Sequence, residues 1–332
     1  MAPRLFADLR LINGSTGDPV LYVDSPGTNN ALLFDAGDNS RLELERLADL
    51  NAVFITHHPV DHFIGLDRIV RANIDADKTL CICGPAGTIR KVYDRIRSYE
   101  YQFFPFQKIV LRVEEIGDGT IRTAHLECTR RFPEPEIAER AWSPGAAVFQ
   151  NDEVLVEATP VDHVVPCLAY ALVQRPGFHV IPERLDAGLL RPGPWIGRLV
   201  AWANSGAADS TLDIQGGRFS QSALAEQYLR KSRGTRIAFV TDTRWNDISR
   251  PGLLRLASGA QRLYCDAFYA EPQARQAEKY GHMTAPQTAD FALQADVAEL
   301  VLMHFSGRYA GNYQSIIDEA RAVFPRTSAE FV

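Results

Sequence analysis

Everything else in the chain is organised around Thr56-His57-His58-Pro59-Val60-Asp61-His62, a short loop crowded with imidazole and carboxylate groups. The apolar run Ala52-Val53-Phe54-Ile55 before it reads as a strand, and Phe63-Ile64-Gly65-Leu66-Asp67-Arg68-Ile69-Val70 after it carries apolar residues at roughly helical spacing. That spacing predicts a helix opened by His62. Side chains at a seam between strand and helix are held by rigid elements on both sides, so the loop reads as a metal site. Imidazole and carboxylate without a nearby thiolate select a borderline first-row metal, zinc first, with iron and manganese as alternatives. The bland alternative is a turn that happens to carry surface histidines.

The same device recurs downstream. Val154-Leu155-Val156-Glu157-Ala158-Thr159-Pro160 is strand-like and leads to Asp162-His163, and Leu300-Val301-Leu302-Met303 leads to His304. Arg236-Ile237-Ala238-Phe239-Val240 leads through Thr241 to Asp242, a carboxylate able to bridge two cations, or else simply to cap the following turn. Thus four strands deliver candidate ligands. Thr284-Ala285-Pro286-Gln287 has the form of a capping box with proline in the first turn, so a helix should start at Thr284. His282 then stands just outside that helix, placed to donate a proton or stabilise developing charge, with Asp266 after the strand Arg262-Leu263-Tyr264-Cys265 as its orienting carboxylate. A surface histidine is the alternative at position 282.

With 332 residues, 46% of them apolar, the chain can bury a substantial core in one large α/β domain or two smaller ones. The start Met1-Ala2-Pro3-Arg4-Leu5-Phe6 lacks a signal-peptide apolar region and no run approaches about 20 apolar residues, so the expectation is a cytoplasmic protein with no membrane partner. Cys81, Cys83, Cys128, Cys167 and Cys265 contain no Cys-x-x-Cys pair, which argues against a disulfide framework or zinc ribbon and for buried thiols. A net charge of -6 gives no general attraction to nucleic acid. Leu80-Cys81-Ile82-Cys83-Gly84-Pro85 reads as a buried strand ending in a Gly-Pro turn, and the segment after Gly87 should be a helix reaching about Tyr99. Tyr99, Tyr101, Phe103, Phe104 and Phe106 then form an aromatic cluster, read either as core or interface packing or as a base-stacking surface. From Val173 to Arg236 the texture turns rich in proline, glycine and arginine, as in an insertion whose charges are either solvated surface or a phosphate-binding arm.

The loop resembles the His-x-His-x-Asp-His signature of the metallo-β-lactamase superfamily, with His57, Asp61 and His62 in register and Pro59 in place of the second histidine. The order of the other elements is similar to that of the ribonuclease Z-like branch. Asp162 to Tyr170, Gly188 to Leu199, Thr241-Asp242-Thr243, Gly281-His282-Met283-Thr284 and Met303 to Tyr309 all match stretches of that family, and Asp35-Ala36-Gly37 resembles its Asp-x-Gly. The resemblance implies a single domain over 1–332 with the αββα sandwich of the metallo-β-lactamase fold, 173–236 forming an inserted arm within it. It implies one or two ions, one on His57, His163 and Asp242, the other on Asp61, His62, His304 and bridging Asp242, with Asp61, His282 and Asp266 as the catalytic set. It implies a metal-dependent phosphodiesterase acting on tRNA 3′ ends or on a small cyclic phosphodiester, and a homodimer by analogy. Asp38-Asn39-Ser40-Arg41 departs from the family's Glu-Gly-Thr-Gln, and Asp266 stands where the family has glutamate. Hydrolysis of another ester or a lactone, and metal-free binding without catalysis, therefore stay open as alternatives.

Overall fold

The computed structural model describes residues 8–24, 31–103, 105–187 and 190–332. Met1 to Phe6, Phe104 and Gly188 with Leu189, which entered the expectations above, lie outside the described residues.

The first half of the chain builds an eight-stranded sheet whose spatial order follows chain order: β1 (Asp8–Leu11), β2 (Leu21–Asp24), β3 (Ala31–Phe34), β4 (Leu50–Phe54), β5 (Thr79–Pro85), β6 (Val110–Gly117), β7 (Thr120–Glu127) and β8 (Ile137–Ala141). The strands from β3 to β6 pair in parallel. The second half begins with β9 (Ala147–Gln150), β10 (Val154–Val161) and β11 (Cys167–Gln174). The chain then leaves to form two small hairpin-like sheets, β12 (Gly177–Val180) with β15 (Leu229–Ser232) and β13 (Thr211–Ile214) with β14 (Gly217–Ser220). These enclose a separate apolar cluster that includes Trp195, Leu199, Leu224 and Tyr228. The chain returns as β16 (Thr235–Val240), β17 (Arg262–Asp266), β18 (Leu300–Met303) and β19 (Thr327–Ala329), completing a seven-stranded sheet ordered β19-β18-β17-β16-β11-β10-β9.

Period-two alternation explains the layering. In β3, Leu32 and Phe34 join Phe54, Cys81 and Cys83 of one sheet and Val156, Tyr170, Phe239 and Tyr264 of the other in a core sealed between the sheets. Ala31 and Leu33 face the opposite way, onto helices Leu66–Asn73 and Thr88–Arg97. In β16, Ile237 and Phe239 point inward while Ala238 and Val240 meet helices Arg250–Ala257 and Ala285–Gln294. Helices thus cover the outer face of each of two facing sheets, an αββα sandwich.

Three expectations are adjusted. The single helix expected from His62 through Val70 is two helices, Val60–Phe63 and Leu66–Asn73, and the first starts before His62, which sits inside its turn; Pro59 is the N-cap, and its missing N–H costs nothing at a helix start. Helix Thr88–Arg97 stops at Ser98, short of Tyr99. Among the described residues of the aromatic cluster, Tyr101 packs, edge-on to Phe132 at 4.9 Å, whereas Tyr99, Phe103 and Phe106 are exposed. The five cysteines are free and buried, and among the described residues no helix is long and apolar enough to cross a membrane.

Candidate metal centre

In the parallel parts of both sheets every strand ends at the same edge, which is where loops of an α/β sheet are free to carry chemistry. Asp35 leaves β3, His57 to His62 follow β4, Asp242 follows β16, Asp266 ends β17 and His304 follows β18. Antiparallel pairing with β11 brings His163, after β10, to the same edge. The two sheets are tied beside it: the Leu168 amide donates to the Thr56 carbonyl at 2.9 Å, and the Tyr170 hydroxyl to the Ile55 carbonyl at 2.8 Å.

Asp242 is the hub. Its Oδ2 lies 2.9 Å from His62 Nε2 and 3.5 Å from His57 Nε2, while its Oδ1 lies 3.1 Å from His304 Nδ1 and 2.9 Å from His282 Nδ1. Asp61 Oδ2 is 3.5 Å from both His62 Nε2 and His304 Nε2. His57, His62 and Asp242 thus form one set of mutually close donors, and Asp61, His62 and His304 another. His163 stands slightly apart: its ring is edge-on to His57 at 5.0 Å and its Nδ1 donates to the Gly281 carbonyl at 2.8 Å, which leaves Nε2 unprotonated. His58 turns aside to Thr88 Oγ1 at 2.9 Å and packs on Phe63. All the candidate residues named from sequence therefore meet at one edge.

Carboxylates and backbone behind the donors fix their orientation. His62 Nδ1 is 2.8 Å from Asp35 Oδ2, and Asp35 Oδ1 in turn accepts from the Thr56 amide at 2.7 Å. Asp162 accepts from Arg244 at 3.2 Å and Asn246 at 2.7 Å, joining the loop after β10 to that after β16. Sequence reasoning missed Asp35 in this role; the Asp-Ala-Gly strand exit was its only signal. It also missed Phe268, which stacks on His282 at 4.2 Å and 14° and has no pattern to mark it.

Burial drives His57 down to about 2, as expected of a desolvated imidazole. At His304 and His282 burial acts the same way but is outweighed, by Asp242 and Asp61 at the first and by Asp242 and Asp266 at the second, raising them to about 9 and about 10. Hydrogen bonding to His304 holds Asp61 at about 2, and neighbouring imidazoles keep Asp242 well below the usual carboxylate range despite its burial. Protons on the imidazoles thus supply the positive charge that these carboxylates need. Asp242 Oδ1 and His304 Nδ1 are close to each other and buried, yet neither has an aligned hydrogen-bond partner. Atoms that crowd together without bonding to one another suit a divalent cation, and imidazole with carboxylate is a donor set for the zinc class. Such an ion would displace the imidazole protons.

Two facing sheets with outer helices and a His/Asp centre at one edge define a metallo-β-lactamase-fold protein. Human tRNase Z, short form, superposes with a TM-score of 0.54 at 16% identity, covering 92% of both chains. The metallo-β-lactamase fold protein YhfI of Bacillus subtilis gives 0.55 at 14% identity, covering 96% of this chain and 93% of its own. Within that fold the chain resembles the ribonuclease Z-like branch: it is 29% identical to ribonuclease Z of Deinococcus radiodurans over 316 residues, 93% of each chain. No family model matches the chain.

Proposed function

We propose that the protein is a metal-dependent phosphodiesterase of the ribonuclease Z-like kind, a cytoplasmic enzyme that uses zinc and acts on tRNA 3′ ends or a small cyclic phosphodiester. The reading rests above all on the convergence of Asp61, His62, Asp242 and His304 from loops of both sheets. In it these four hold one cation, and His57 and His163 join Asp242 at a second position that is one donor short at Pro59. When bound, the ions supply Lewis-acid stabilisation of phosphoryl charge and acidify a water. His282, oriented by Asp266 at 3.0 Å, gives a proton to the leaving oxygen. The protein acts as a single domain, 173–236 serving as an arm whose exposed Arg191, Arg198, Lys231 and Arg233 contact tRNA phosphates. Arg236 has another task, an ion pair with Glu157 at 2.7 Å. A homodimer belongs to the same reading.

The test is metal content by elemental analysis, followed by hydrolysis assays on precursor tRNA, a cyclic nucleotide and a lactone with zinc or manganese added. Bound metal with phosphodiester cleavage supports the reading. Lactone hydrolysis alone transfers it to the ester alternative, and absence of bound metal leaves a binding protein.

A further inference from the structure

His282 and Asp266, assigned above to proton transfer, also belong to a group with the layout of a ligand set. Asp242, Asp266, His282 and His304 each offer an atom to a cluster whose members all lie within 4.8 Å of one another. His282 Nδ1 is 2.9 Å from Asp242 Oδ1 and 3.0 Å from Asp266 Oδ2, and His304 Nδ1 is 3.1 Å from Asp242 Oδ1. Ligands at about 2.0–2.1 Å from a tetrahedral zinc ion are themselves about 3.3 Å apart, so these spacings approach the edges of a coordination polyhedron.

A second observation points the same way. Asp266 is fully buried and its Oδ1 has no hydrogen-bond partner; Asp242 Oδ1 and His304 Nδ1 likewise have none that is aligned. A buried carboxylate oxygen left without a donor is unfavourable unless a cation takes it. Asp266 Oδ2 and Asp242 Oδ1 hold His282 Nδ1 between them, and Phe268 stacks on the ring.

We infer that Asp266 and His282 add a further divalent-cation seat to Asp242 and His304, sharing Asp242 and, as a bridging imidazolate, His304 with the cation proposed above, and that in it His282 is a metal ligand through Nδ1 as well as a proton donor through Nε2. Nδ1 faces both carboxylates, so Nε2 keeps the hydrogen and remains available for the reaction. The inference rests on the proposed reading of this edge as a metal centre.

Zinc bound per chain, counted by native mass spectrometry on the full-length protein at buffered free zinc, tests it. Asp266→Asn and His282→Gln should each bind one ion fewer than wild type, or bind it 10–100-fold more weakly. Cobalt-loaded wild type should also show a strongly shifted exchangeable N–H signal by NMR that is missing from His282→Gln, a readout that stands even if the Asp266 variant fails to fold. Unchanged zinc counts in folded variants, or no such signal, overturn the seat and leave the phosphodiesterase reading intact. Wild type without zinc overturns both.

Discussion

Asp35, Asp242 and His304 have φ of 57°, 51° and 57°, left-handed values that side-chain-bearing residues rarely adopt. Each directly follows a strand or stands two residues beyond one, and each turns its side chain into the centre, so the backbone strain is concentrated where the donors must be aimed. Asp35 matters there although it is in none of the donor sets: it fixes which nitrogen of His62 carries hydrogen and leaves Nε2 facing Asp242, the orientation the proposed metal centre needs. Asp35→Asn should therefore weaken zinc binding 10–100-fold while leaving the fold intact, measured by competition with a chromophoric chelator. Unaltered affinity would remove Asp35 from the centre. Pro59 has φ -61° and ψ 164°, extended backbone that histidine adopts readily. Pro59→His should accordingly raise the number of tightly bound ions, read by elemental analysis; no increase would mean that position 59 does not reach the centre.

At the scale of elements, the strands and the capping box were legible because they obey local rules. Thr284 caps Ala285–Gln294 with Gln287 closing the box, and the apolar runs before His57, His163, Asp242 and His304 became β4, β10, β16 and β18. The start of the helix at Val60 was harder, since proline is equally at home just before a helix and in a plain turn. The exposed Phe103 and Phe106 could not be foreseen from composition, because apolar residues also occupy surfaces and nothing local says which face is covered. The arm carries a pH prediction of its own. His179 on β12 is buried, with Nε2 2.6 Å from the Arg175 carbonyl, and burial lowers its pKa below the ordinary 6.5. The unfolded arm then binds a proton that the folded arm refuses. Arm stability should be complete above about pH 6.5 and fall below it, by at most about 1.4 kcal/mol per pH unit. The protection factors of helix Trp195–Ser205, that is exchange rates corrected for the intrinsic rate at each pH, should fall between pH 7.5 and 5.5, and His179→Gln should flatten the response; an equally steep variant would assign it to other groups.

Across the whole molecule, the two sheets meet through an apolar core that is indifferent to direction, and polar contacts help to set their relative placement at the site edge. The Tyr170 hydroxyl is one, fully buried and bonded to Ile55 just before the metal loop. Tyr170→Phe should cost about 1–3 kcal/mol in chemical denaturation, since the loss leaves a buried acceptor unsatisfied. An undiminished midpoint would mean that the carbonyl finds another donor.

Metal would be a further tie, because Asp61 and His62 follow a strand of one sheet while Asp242 and His304 follow strands of the other. An ion held by donors from both sheets binds only when the sheets are correctly docked, so its binding free energy adds to folding. At free zinc 100-fold above its dissociation constant this amounts to about 2.7 kcal/mol. Chelation should therefore lower the thermal midpoint by several degrees and zinc should restore it, with the difference growing as free zinc rises. Asp242→Asn keeps the shape of the hub but weakens its hold on cations, and should leave little of that zinc-dependent shift. A midpoint independent of zinc in the wild type would show that the sheets dock without an ion, and the centre would then have no part in holding the sandwich together.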